Sequence, residues 1–142
     1  MPRIRRPFER PKDKLRDARL IIIATEDTKA TVAYFEAMAS PAYYQSSKVH
    51  VEVLLREDTA SAPEHILEQL DQWLAEYQIA EDDDLWLVID VGRWGSKKLN
   101  QIAKACRQKA VYLAVSNPSI ELWFLLHLHD WVVSLISRDN FL

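Results

Sequence analysis

Five polar residues stand where apolar runs of this sequence stop. Glu26 follows the run Leu20–Thr25, Asp90 follows Leu85–Ile89, and Ser116 and Asn117 follow Val111–Val115. Glu121 lies one helical turn beyond Asn117. Three carboxylates and an amide of this kind are hard oxygen donors. Such donors suit Mg²⁺ or a similar divalent cation, which binds through one or two carboxylates and keeps several waters or substrate phosphates. A carboxylate-held cation of this sort stabilises charge in phosphoryl-transfer chemistry. Each residue also has an ordinary structural use. Glu26 and Glu121 suit helix N-termini, where the macrodipole favours acids. Asp90 suits a turn or a cap, and Ser116-Asn117-Pro118 suits a strand-to-helix turn.

The elements that would bring these residues together follow from the apolar pattern. Leu20–Thr25 is a short, continuous, β-branched run, as expected of a strand buried on both faces. The spacing predicts a helix over Thr28–Ala39, with Asp27 or Thr28 as its cap and Val32, Phe35, Glu36 and Met38 along one face. A second strand is predicted over Lys48–Leu55 and a helix over Pro63–Tyr77, with proline in its first turn. Leu85–Ile89 is a third strand after the acidic turn Glu81–Asp84. Ser96 is expected to cap a helix through Lys109 whose inner face carries Leu99, Ile102, Ala103 and Cys106. Val111–Val115 is a fourth strand, and Ile120–His129 an apolar helix. Trp131–Ile136 continues that helix or forms a further strand. The β-α alternation implies right-handed crossovers and a mostly parallel sheet of about four strands covered on both faces. Ligands in such sheets sit beyond the carboxyl ends of the strands, where the five polar residues fall.

Composition narrows the chemistry. The chain has only 2 glycines in 142 residues, against an average of about 7%. They are Gly92 and Gly95, so neither GxGxxG nor GxxxxGK[ST] can be written and a glycine-rich phosphate loop is excluded. One cysteine, Cys106, allows no internal disulfide and fits a reducing cytosol. No apolar run approaches the roughly 18–20 residues of a membrane span, and no signal peptide opens the chain. A cytoplasmic protein without a membrane role is the expectation. Charge is uneven: residues 1–19 carry eight basic and three acidic residues, within an overall net charge of −3. Residues 1–18 therefore read as a basic arm preceding a single domain over 19–142. Arg3, Arg5, Arg6 and Arg10 in that arm are candidates for contact with a nucleic-acid backbone; the alternatives are a solubilising tail or a partner-docking arm.

Three blocks carry a resemblance. Ile22–Phe35 resembles the opening of the RloB-like family, a strand running into E-G-x-x-T-E-x-x-Y-F. Leu85–Trp94 resembles its second block, a strand ending in D-x-D. Val115–Leu128 resembles its third, S-N-P-x-F-E-x-W-x-L-L-H, the most specific of the three. With the elements between, the match covers about residues 19–130. The resemblance implies a Toprim-like α/β fold, related to the nuclease domains of OLD-type proteins and to the Toprim domains of topoisomerases and primases. It implies a Mg²⁺- or Mn²⁺-dependent nuclease in prokaryotic restriction and abortive-infection loci, often beside a partner ATPase. Carried over by position, Glu26 is the acid/base or metal-linked glutamate, Asp90 the first metal carboxylate and Glu121 a further catalytic acid. Ser116, Asn117, Lys29 and His127 line or support the site. The departures are specific. Asp27 replaces a glycine, Ala30 and Thr31 replace a threonine and a glutamate, and Gly92 replaces the second acid of D-x-D. Gly92 removes an anionic ligand and predicts weak cation binding, unless Asp27 supplies the missing carboxylate. The chain also ends soon after the third block, where family members commonly continue. The alternative expectation is a catalytically weak or inactive module that binds a partner ATPase or nucleic acid, and self-association is a further expectation from the tryptophan-rich C-terminal region.

Overall fold

The computed structural model describes residues 19–40, 42–43, 48–55, 62–77, 79–92 and 94–128. The elements are β1 (Arg19–Thr25), α1 (Ala30–Met38), β2 (Val49–Leu54), α2 (Pro63–Glu76), β3 (Asp84–Asp90), α3 (Ser96–Gln108), β4 (Tyr112–Ser116) and α4 (Ile120–Leu126). The four strands form one all-parallel sheet in the order β2-β1-β3-β4. This is the α/β architecture expected from the alternating pattern, consistent with a Toprim-like fold. The basic arm and Trp131–Ile136 lie outside the described residues.

Period-two alternation divides the apolar residues between two layers. Leu20, Ile22 and Ala24 of β1 and Leu85, Leu87 and Ile89 of β3 point to one side. There they pack with Ile66, Leu67 and Leu70 of α2 and Ile102 and Cys106 of α3. Ile23 and Val88 point to the other side, against Ile120, Phe35 and Phe124 of α1 and α4. The register aligns Ile22 with Leu85 and Ala24 with Leu87, so the two strands present the same face at the same level. Burying a side chain of this size contributes about 1.5–3 kcal/mol. The α2/α3 side holds most of the fully buried residues and is the main core. Cys106 belongs to it, and burial pushes its thiol above the ordinary cysteine range.

Several details differ from the sequence expectation, among them α1, which starts at Ala30 rather than Thr28. Ser96 is the first helical residue of α3 rather than its cap; Gly95 takes the cap position in extended backbone. Helix α4 ends at Leu126 instead of reaching His129. In α1, Thr31 and Val32 are the buried pair, while Glu36 and Met38 are exposed. The expected stripe at Val32, Phe35, Glu36 and Met38 therefore fails in the last turn, where nothing in the apolar cluster reaches Met38.

The strand order fixes where a site can form. β1 connects through α1 to β2 on one side of it, and β3 connects through α3 to β4 on the other. The two connections leave the sheet in opposite directions, which opens a crevice between the carboxyl ends of β1 and β3. Glu26 and Asp90 stand at those two ends.

Candidate functional site

Glu26 continues the ladder past β1, its N–H donating to the carbonyl of Val88 at 3.1 Å. Its carboxylate bridges the crevice. Oε2 accepts the backbone N–H of Asp90 at 3.1 Å, and Oε1 accepts the indole Nε1–H of Trp94 at 3.0 Å. Asp90 in turn places Oδ1 on the backbone N–H of Ile120 at 2.9 Å. The last acid of β3 therefore satisfies one of the donors that open α4, which its own cap residue Ser119 does not. Asp27 does the same for α1: Oδ1 accepts from Lys29 N at 3.0 Å and Oδ2 from Thr31 N at 2.7 Å. Helix α1 starts at Ala30 with Lys29 in the cap position, not Asp27 or Thr28 as expected, so Asp27 reaches these N–H groups from two residues before the cap, and the carboxylates still share one edge.

Their electrostatics differ. Burial pushes the Asp27 carboxyl up, but the backbone N–H groups of Thr31 and Lys29 outweigh it and hold it below the usual aspartate range. Burial also pushes Asp90 up. The bond from Ile120 opposes this, while the negative charges of Glu121, Glu26 and Asp27 add to it, and the net position is above the usual range. Asp90 is the residue on which the charge of this edge converges.

The structure brings Glu26, Asp27 and Glu121 within electrostatic reach of Asp90. Ser116 pairs in register with Asp90, and its carbonyl accepts the N–H of Val91 at 2.8 Å. Asn117 is exposed in the turn after β4, Lys29 is exposed at the start of α1, and Glu121 is exposed in the first turn of α4. His127 is not brought to this edge. It lies seven residues beyond Ile120, roughly 10 Å along the helix at 1.5 Å per residue, and bonds to Tyr34 and Trp123 instead. Arg3, Arg5, Arg6 and Arg10 lie outside the described residues. Trp94 is the contributor that residue types alone did not single out. Its signal was its place between Gly92 and Gly95, the only two glycines of the chain, in a turn where an indole can fold back over the strand end.

Gly92 adopts φ +41°, a left-handed conformation that favours glycine. Its N–H faces the carbonyl of Pro118 at 3.4 Å. A Cβ built there would meet Asp90 Cβ at 3.9 Å, an ordinary contact. The missing acid of the D-x-D pattern is thus replaced by a turn residue, with room left for a side chain.

The donor set fits a hydrated Mg²⁺ in kind, since every candidate ligand is a carboxylate oxygen and one or two suffice when waters complete the shell. Among the described residues, no group of three or more His, Cys, Asp or Glu side chains converges to hold a metal ion. Asp90, with Glu26 or Asp27, would be the holding pair.

Fold and edge together define a parallel α/β domain with an acidic crevice at its topological switch point. A model of the RloB-like protein family matches residues 21–142, and the chain belongs to that family. No curated protein and no solved structure matches it.

Proposed function

We propose that this domain cleaves phosphodiester bonds of nucleic acid with the help of Mg²⁺ or Mn²⁺ at the Glu26–Asp90 crevice, as part of prokaryotic anti-phage defence. The observation that carries this reading is the convergence of negative charge on Asp90 from Glu26, Asp27 and Glu121, at the strand ends where α/β sheets bind ligands. When bound, the cation supplies charge stabilisation to phosphoryl oxygens and lowers the pKa of its water. The chain's own residues do the rest. Asp90 would provide the primary oxygen ligand, and it fixes the start of α4. Glu26, held by the Asp90 N–H and the Trp94 indole, is oriented to accept a proton at the crevice. The basic residues Arg3, Arg5, Arg6 and Arg10 would add sequence-independent attraction to the phosphate backbone.

A second reading has its own observation. Gly92 stands in place of an acid, and no three-residue metal group is assembled among the described residues. On that reading the domain binds nucleic acid or a partner ATPase without cutting. Purified protein incubated with plasmid and single-stranded substrates under Mg²⁺ and Mn²⁺, beside Glu26→Gln and Asp90→Asn, separates the two. Cleavage by the unaltered chain that both variants lose supports the first reading. Equal cleavage by all three, or none by any, overturns it.

A further inference from the structure

Tyr34 and His127 form a cluster apart from the acidic crevice. The His127 ring is held from both sides. Nδ1 is 2.7 Å from the carbonyl oxygen of Trp123, and Nε2 is 3.2 Å from Oη of Tyr34. A carbonyl oxygen only accepts, so Nδ1 carries the proton, and the neutral imidazole offers Nε2 as an acceptor to the phenol. Oη of Tyr34 also accepts the indole Nε1–H of Trp123 at 3.0 Å. The phenol therefore points its proton at a base while its oxygen receives a hydrogen bond. A nucleophile, a base within reach of it and a third group orienting the base are the parts of an activated nucleophile.

The surroundings indicate what such a phenol would meet. The Tyr34 ring packs against Phe35, Phe124 and His127 at 5.2, 4.9 and 5.6 Å between centroids. Phe35 and Trp123 also line a cleft of about 290 Å³, with Trp86, Ala114 and Ile120 among its apolar walls and Ser116 as a polar one, and Tyr34 borders it through its bond from Trp123. Walls of this kind suit an aromatic or alkyl body and offer little to an anion.

We propose that Tyr34, activated by His127, is a nucleophilic phenol that forms a covalent adduct with neutral acyl-type electrophiles carried on an apolar body. The phenolic oxygen forms the new bond to the carbonyl carbon as its proton passes to Nε2 of His127. The bond to the leaving oxygen breaks with its electron pair on that oxygen, which takes the proton from His127. This assignment is independent of the phosphodiester reading.

Benzenesulfonyl fluoride is the probe, because attack by a phenol expels fluoride and leaves a stable sulfonate ester. The full chain is treated at pH 8 and the modified tyrosines are mapped by mass spectrometry. Tyr43 and Tyr112, 80% and 54% exposed, are internal comparators. The expected result is Tyr34 modified at least about tenfold faster than either, a conservative share of what a positioned base supplies, with His127→Gln reducing it to their level. Tyr34 modified no faster than Tyr43 in the unaltered chain overturns the proposal. Imidazole ¹⁵N NMR of the unaltered chain gives a second reading that needs no variant. The Nδ1–H tautomer is expected; a neutral ring protonated at Nε2 overturns the proposal, because that nitrogen could not take the phenolic proton.

Discussion

Asp90 Oδ1 accepts the backbone N–H of Ile120 at 2.9 Å, so the acid that ends β3 is also the cap that starts α4. The same carboxylate carries the repulsion of its acidic neighbours. Its two roles separate on substitution. Asp90→Asn keeps an oxygen for Ile120 and removes the charge; Asp90→Ala removes both. Urea unfolding near pH 7 is expected to find Asp90→Asn at least as stable as the parent and Asp90→Ala less stable by about 1–2 kcal/mol. Equal losses in both variants would mean that the charge, not the cap, is what the fold uses.

Asp27 and Asp90 should titrate stability with opposite signs. Asp27 is held below the usual range, so its contribution is complete above the unfolded value of about 3.9 and disappears as pH falls through its lower folded value. Asp90 sits above that range. Its penalty is complete above the folded value, shrinks as pH falls through it, and is gone below the unfolded value. Denaturant melts from pH 7 downward should find Asp90→Asn more stable than the parent at pH 7, with the gap closing in acid. Asp27→Asn should be less stable, with that gap persisting into the ordinary carboxylate range. Gaps of the same sign for both variants would contradict this assignment.

Trp94→Phe removes the indole donor from Glu26 Oε1 and leaves the Asp90 N–H on the other oxygen. The expected cost is about 1 kcal/mol. A freer carboxylate also loosens its hold on that N–H, so the Asp90 amide should exchange faster with solvent. An unchanged Asp90 amide would show that Trp94 does not orient Glu26.

Gly92→Asp restores the absent acid. The new Cβ meets only an ordinary contact, so the strain comes from φ +41°. Aspartate tolerates this region better than most residues, and the cost should be about 1 kcal/mol. Gly92→Val, β-branched, should cost more. Added Mg²⁺ is expected to raise the melting temperature of Gly92→Asp more than that of the parent, as preferential binding to the folded state requires. No difference between the two would mean that Gly92 does not limit cation binding.

The sheet was legible because strands such as Leu20–Thr25 and Leu85–Ile89 are compact apolar runs and helices such as α2 and α3 repeat their apolar residues at helical spacing. The order of the strands, and with it the crevice between β1 and β3, follows from which face each crossover helix covers, and a linear pattern does not encode that choice. The acids at the strand ends were legible by position. Their partners were not. The bond from Trp94 to Glu26 spans 68 residues and that from Asp90 to Ile120 spans 30, and a backbone N–H leaves no mark in residue type. His127 was misplaced for a related reason. The resemblance implied a supporting role at the acidic edge, but α4 carries it about two turns away to Tyr34. Ser96 looked like a cap by type, whereas the chain reaches extended geometry one residue earlier, at Gly95.

The central claim is that Asp90 is the principal ligand of a divalent cation in the β1–β3 crevice. Titration of the full chain with Mn²⁺, following the electron paramagnetic resonance signal of the free ion, measures this directly beside Asp90→Asn. One saturable site is expected in the parent, lost in Asp90→Asn while the variant remains folded. Identical Mn²⁺ binding by both proteins, or no saturable site in the parent, would contradict it.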